Sequence, residues 1–317
     1  MSDFHPELLR SARLIPRFAF TPRLARFARF VQRVRGLRKP PQVPGLDIRD
    51  IVVPGPENNP ALRLRVYSPK AQAAPRPVML WIHGGGFIIG TPEQDAAIIV
   101  EMCQELGIVI VAVNYRLGPD HPFPAALEDC YAALKWLHQG ADGLNTARDR
   151  IAVGGNSAGA GLAAGLVLAA HDRGEIPVAF QLLFYPMLDD RTTLRTGIDQ
   201  SRFRMWNSTS NVLGWSSYLG SQPGGAGVSD YAAPARRKNL AGLPPTWIGV
   251  GTCDLFYDED VAYAGKLVDA GVSCTLKVVD GAFHAFDLIN PKTKVVQDFK
   301  RCYLDAVRDG LCLSPRG

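Results

Sequence analysis

Four short runs in this chain are almost unbroken apolar sequence: "IVIVAV" (108–113), "IAV" (151–153), "LLFY" (182–185) and "TWIGVG" (246–251). None shows the polar alternation of a half-buried strand, so each reads as a strand covered on both faces. Around them lie helix-spaced segments near 93–106, 123–139, 157–172, 258–270 and 293–308. Buried strands alternating with amphipathic helices predict a mainly parallel sheet with helices on both faces. Strand-like segments near 48–54, 62–68 and 78–83 come earlier, and "LRLRVYS" (62–68) does alternate. The first of these are expected to form an antiparallel beginning to the sheet.

Composition bounds the reading without sharpening it. The chain has 317 residues, 47% hydrophobic and 21% charged, as a globular domain with one large core requires. It contains no 18-residue apolar run, so no membrane-spanning helix is expected. Arg10, Arg13 and Arg17 interrupt the N-terminus before a secretory apolar stretch forms, which points to the cytoplasm. Six scattered cysteines show no C-x-x-C pair and no metal-ligand spacing, so no metal site is expected.

Charge is uneven. Residues 1–40 hold ten Arg and Lys against Asp3 and Glu7, whereas the remainder is slightly acidic. Leu24, Phe27, Val31 and Val34 share one helical face, with Arg23, Arg26, Arg29 and Arg33 around it. The favoured expectation is a helix docked on the body through that apolar face, arginines to solvent. Binding to a membrane surface or nucleic acid is the other reading of such a segment. "KPPQVPG" (39–45) reads as a linker, and residues 191–220 interrupt the strand–helix alternation with a helical insertion. Trp206 and Trp215 in that insertion look exposed and could cover an active site together with the N-terminal helices.

The chemistry gathers in four places. Gly155-Asn156-Ser157-Ala158-Gly159 matches G-x-S-x-G after an apolar strand and before "AGLAAGLVLAA". That context suits a nucleophile on a strained strand-to-helix turn, where small flanking residues prevent collision. His83-Gly84-Gly85-Gly86-Phe87 follows another strand, and its glycines free backbone N–H groups to face a carbonyl oxygen. A serine hydroxyl also needs a base. His5 lies in the N-terminal segment, while His138 and His171 close helices; His83 belongs to the glycine loop and His121 to a proline-locked loop. His284, in "VVDGAFHAFD", is left, and it follows Ser157 in the right order. Asp254, directly after "TWIGVGTC", is the favoured acid partner, with Asp280 and Asp287 as alternatives. Asp258, Glu259 and Asp260 start the next helix, where a dipole role suffices.

Together these motifs resemble the hormone-sensitive-lipase family of α/β-hydrolases, the bacterial family IV esterases. The resemblance runs from about residue 45 to 310 through "HGGGF", "NYRLGPDHPFPAALEDC", "GGNSAGAG", "YPMLDD", "LAGLPPTWIGVGTCDLFYDED" and "GAFHAFD". It implies an α/β-hydrolase fold, a mostly parallel sheet of about eight strands under a helical cap. It divides the chain into cap segment 1–44, core 45–190, cap insertion 191–220 and core 221–317. It implies a Ser157, Asp254, His284 triad, an oxyanion hole from the N–H groups of Gly85, Gly86 and Ala158, and substrate contacts at Gly84, Phe87 and Tyr185. A carboxylesterase for short- to medium-chain acyl esters follows, with no cofactor, a small-molecule ester as partner, no nucleic acid, and a homodimer as in many relatives. The same triad would also serve amides, lactones or carbamates, and non-catalytic hormone receptors share the fold but lack the histidine present here. Three positions depart from the family pattern: Asn156 replaces the usual Asp, Ala160 replaces Gly, and "NYRLGPDHP" replaces "DYRLAPEHP".

Overall fold

The computed structural model describes residues 3–36, 40–57, 59–70, 74–141 and 143–314. Eight strands form one sheet in the order β1-β2-β4-β3-β5-β6-β7-β8. They are β1 (Leu46–Val53), β2 (Leu62–Pro69), β3 (Arg76–Ile82), β4 (Val109–Val113), β5 (Thr146–Asn156), β6 (Phe180–Phe184), β7 (Thr246–Cys253) and β8 (Cys274–Phe283). β2 pairs antiparallel with β1 and β4, and every other pairing is parallel. The antiparallel beginning and parallel body match the alternating-then-continuous apolar pattern.

Strand β3 shows why the central runs carry no polar period. Val78, Leu80 and Ile82 enter one core layer while Met79 and Trp81 enter the other. The first layer receives α4 (Ala125–Gln139), α5 (Ala158–Arg173) and α7 (Tyr257–Asp269); the second receives α3 (Ala96–Leu106) and α9 (Lys294–Gly310). With helices on both faces, a polar residue at either parity would be stranded without water. β8 has no place among the apolar runs because it is an edge strand. Cys274, Leu276 and Val278 are only partly buried, and Thr275 faces solvent.

Two expectations about the covering segments are corrected. The insertion comprises short 3₁₀ turns and α6 (Ser208–Leu219), and its tryptophans are buried. Trp206 meets Phe20 at 5.8 Å, and Trp215 meets Phe87 at 5.4 Å. Their indoles pack onto the glycine loop after β3, which removes the large apolar area that would otherwise face water.

The N-terminal segment holds α1 (Leu9–Leu14) and α2 (Pro22–Gly36). α2 does dock, but not through the expected face: Ala25 is buried, whereas Leu24, Phe27, Phe30 and Val34 are exposed. Polar anchors decide the rotation. Arg29 donates to Gly118 O and to Asp120 Oδ2 at 2.9 Å, and Gln32 Oε1 accepts from Gly90 N at 2.9 Å. Arginine therefore points inward on this face. The Arg33 side chain and residue 39 of the expected linker lie outside the described residues. Phe20 N donates to Ser210 Oγ, and Asn207 donates to Phe18 O, so the segment is tied to the insertion. α8 (Phe286–Ile289) is the remaining α-helix among the described residues, and no described helix is long and apolar enough to cross a membrane.

Candidate active site

Strand β5 ends at Asn156 and α5 begins at Ala158, leaving Ser157 alone at the turn with φ 54° and ψ −123°. That conformation is costly for a residue with a side chain, and surrounding contacts must impose it. They do so: Ser157 N donates to Phe184 O, and Ser157 O accepts from Gly161 N and Met187 N. Gly159 makes the turn sterically feasible. A Cβ there would stand 2.1 Å from Ile82 O and 2.4 Å from His83 O, both backbone atoms of the neighbouring strand end. The small residues flanking the serine thus measure how closely α5 crosses β3.

The turn holds Ser157 Oγ at 2.9 Å from His284 Nε2, while His284 Nδ1 lies 2.7 Å from Asp254 Oδ2. His284 follows directly on β8 and Asp254 directly on β7, so neighbouring parallel strands deliver base and acid to the rim that carries the serine. Asp254 Oδ1 accepts from Phe256 N, which fixes the carboxylate. A carboxylate facing Nδ1 selects the tautomer protonated there, leaving the Nε2 lone pair for the serine proton. The edges of Tyr185 and Phe256 flank the imidazole, with centroids at 4.7 and 5.3 Å. The two alternative acids are engaged elsewhere: Asp280 accepts from Thr252 Oγ1 and Asp287 from the Tyr185 hydroxyl. His83 is neutral over the working range, because burial pushes its pKa down to about 4, and its ring stacks on Tyr115 at 4.3 Å.

The glycine loop lies beside the serine. The N–H groups of Gly85, Gly86 and Ala158 have no hydrogen-bond acceptor among the described residues. Gly86 has φ +60°, and a Cβ on it would meet the Trp206 ring at 2.1 Å. Gly84 is packed against Asn156 and the Ser157 side chain. Phe87 is enclosed: its ring stacks on Tyr218 at 4.0 Å and it braces the loop from behind. Tyr185, with φ 38°, presents its ring edge to His284 and anchors its hydroxyl on Asp287. The 470 Å³ cavity bounded by Arg29, Arg63, Tyr115, Arg116 and Asp120 is not lined by Ser157, Asp254 or His284, and its arginines already pair with carboxylates.

Two acids had no site role in the sequence reading. Asp95, just before α3, is buried and accepts from Trp81 Nε1 at 2.9 Å and from Asn156 Nδ2 at 3.0 Å. Burial pushes its pKa up to about 6. The departure at Asn156 therefore has a physical meaning here. Its amide donates to Asp95, whereas an aspartate would set two carboxylates at hydrogen-bond distance that must share a proton. Glu259 is the second: it is buried and takes the N–H groups of Leu188 (2.7 Å) and Asp189 (3.1 Å) and the Thr192 hydroxyl. Burial pushes its pKa up to about 8. Glu259 and Asp260 are thus interior groups rather than solvent-facing partners of the helix dipole; Asp258 alone keeps that exposed position. Neither acid carries a motif around it, so only its partners in space mark it.

The profile of the α/β-hydrolase fold family matches residues 79–288, which contain the serine, the acid and the histidine. The chain is 33% identical to esterase LipI of Mycobacterium tuberculosis over 264 residues, 80% of this chain and 79% of that one. It is 32% identical to carboxylesterase NlhH of the same species over 261 residues, 80% of each. A bacterial heroin esterase superposes with a TM-score of 0.88 at 39% identity, covering 98% of both chains. The chain belongs to the α/β-hydrolase family, in its hormone-sensitive-lipase-like branch.

Proposed function

We propose that the protein is a serine carboxylester hydrolase acting on short- to medium-chain acyl esters through Ser157, His284 and Asp254. The observation that carries the triad is the double engagement of His284, with Ser157 at 2.9 Å and Asp254 at 2.7 Å on its two nitrogens. The esterase class itself rests on the relatives above, named esterase or carboxylesterase. Ser157 Oγ attacks the ester carbonyl while His284 Nε2 takes its proton. The oxyanion is received by the N–H groups of Gly85, Gly86 and Ala158, each such donor lowering the barrier by on the order of 3 kcal/mol. The tetrahedral intermediate collapses, His284 passes the proton to the leaving alcohol, and an acyl-serine remains. Water, deprotonated by His284, then releases the acid and restores the serine. Asp254 holds the imidazole in place and stabilises its positive charge. The chemistry requires no cofactor.

In this reading segments 1–44 and 191–220 form a cap over the core, 45–190 and 221–317. Support for a shallow acyl site comes from the Trp206 ring lying against Gly86 and from Gly214 of α6 packing toward Gly86 O. The proposal keeps a cytoplasmic location, on the arginines that interrupt the N-terminus, and a homodimer, on the family resemblance. A panel of p-nitrophenyl esters of increasing acyl length, run with Ser157→Ala as control, tests the proposal. It predicts a burst of alcohol release on short chains that is absent from the variant. Equal turnover by Ser157→Ala, or activity confined to long chains, would contradict it.

A further inference from the structure

The exposed large apolar side chains of the described residues crowd into the N-terminal segment. Leu14, Phe18, Leu24, Phe27, Phe30 and Val34 all face solvent, with Phe27 and Phe30 at 65% and 66%. The last four form one stripe along α2, spaced three, three and four residues apart. Its opposite face, carrying Ala25, Arg29 and Gln32, is the one fixed to the body by the bonds to Gly118, Asp120 and Gly90. The helix cannot roll its phenylalanines inward without breaking those three anchors.

Charge indicates what would cover such a stripe. Residues 8–36 contain eight arginines and no acid. Arg10, Arg13, Arg17, Arg23 and Arg26 are exposed and make no ion pair among the described residues. A second copy docking face to face would bring these arginines against themselves, since a two-fold interface is self-complementary. A bilayer rich in anionic lipid meets both requirements: acyl chains take the phenylalanines and phosphates take the guanidinium groups.

We propose that residues 9–36 are an interfacial anchor that seats the protein on an anionic phospholipid bilayer, with Leu24, Phe27, Phe30 and Val34 in the acyl boundary and Arg10, Arg13, Arg17, Arg23 and Arg26 at headgroup level. The anchor adjoins the site. Phe20 lies against Trp206, which closes on Gly86, and Gln32 holds Gly90 at the end of the glycine loop. A bilayer-bound molecule would therefore have the candidate oxyanion loop close to the lipid surface, where apolar esters concentrate.

Flotation of the full chain with extruded vesicles tests this, comparing phosphatidylcholine alone with phosphatidylcholine mixed with phosphatidylserine. The expected result is flotation with the phosphatidylserine vesicles, weak with phosphatidylcholine alone and declining as salt rises. The double variant Phe27→Ser/Phe30→Ser should lower the partition by at least about tenfold with an unchanged unfolding temperature. Arg13→Gln/Arg17→Gln/Arg23→Gln should abolish the preference for phosphatidylserine. Failure to float with anionic vesicles would overturn the proposal. So would a concentration-dependent dimer, seen by light scattering, that Phe27→Ser/Phe30→Ser dissolves while vesicle binding stays absent.

Discussion

Residues 151–165 and residues 22–36 both place small and apolar residues at helical or strand spacing, yet the structure treats them oppositely. In the first, the N–H and C=O of Ser157 are both committed, and one added methyl at Gly159 would strike two carbonyl oxygens. In the second, a few polar bonds and an alanine hold the helix, and its largest side chains remain in water. The elbow is specified by steric exclusion, which a sequence displays directly as runs of glycine and alanine. The N-terminal helix is specified by which face finds hydrogen-bond partners, and those partners lie roughly sixty to ninety residues away in the chain.

That contrast can be broken or sharpened by substitution, beginning with the largest effect. Asp254→Asn keeps the shape of the site but removes the acceptor that selects the tautomer, so kcat should fall on the order of 10⁴-fold with the fold intact. Steady-state kinetics beside a circular-dichroism spectrum would check both halves. Gly159→Ala should cost about 1–3 kcal/mol in a denaturant melt, because its new Cβ meets backbone that cannot swing aside.

Glu259 gives an effect that depends on pH. Its carboxyl is raised from 4.5 to about 8, so the folded state holds a proton that the unfolded chain releases earlier. The stability this proton linkage contributes is complete below 4.5 and is lost as pH rises through about 8. Glu259→Gln should therefore flatten stability against pH across that window, by up to about 1.4 kcal/mol per pH unit. A slope identical to that of the parent would remove Glu259 from this role. The smallest effect is expected at Phe27→Ser, within about 0.5 kcal/mol of the parent, since that ring is already in water. Ala25→Leu, two positions away on the docked face, should cost more by the overpacking of its contact with the body. Equal costs at the two positions would erase the distinction drawn within α2.

Much of the site was legible because its chemistry requires particular residue types at turns after apolar strands. Ser157 stood out by its G-x-S-x-G turn and His284 by chain order, while Asp254 was favoured over Asp280 and Asp287 by its strand end and by the family resemblance; the structure places the three side chains in sequence of contact, each within 3 Å of the next. Strand β8 was hidden because an edge strand needs only part of its surface apolar. Trp206 and Trp215 were legible as covering residues but looked exposed, because an insertion outside the sheet does not show how deeply its rings pack; they are buried on the glycine loop and its neighbours. Asp95 and Glu259 were invisible as site residues for a further reason. An acid at a helix start looks the same whether it faces water or accepts buried N–H donors, and only the fold separates the cases.

Treatment with a fluorophosphonate followed by peptide mass mapping interrogates the Ser157–His284–Asp254 assignment most directly, since the reagent reports an activated nucleophile without any choice of substrate. One covalent adduct on residue 157 is predicted, absent from Ser157→Ala and slowed by orders of magnitude in His284→Ala. An adduct on another residue, or undiminished labelling of residue 157 without the imidazole, would contradict it.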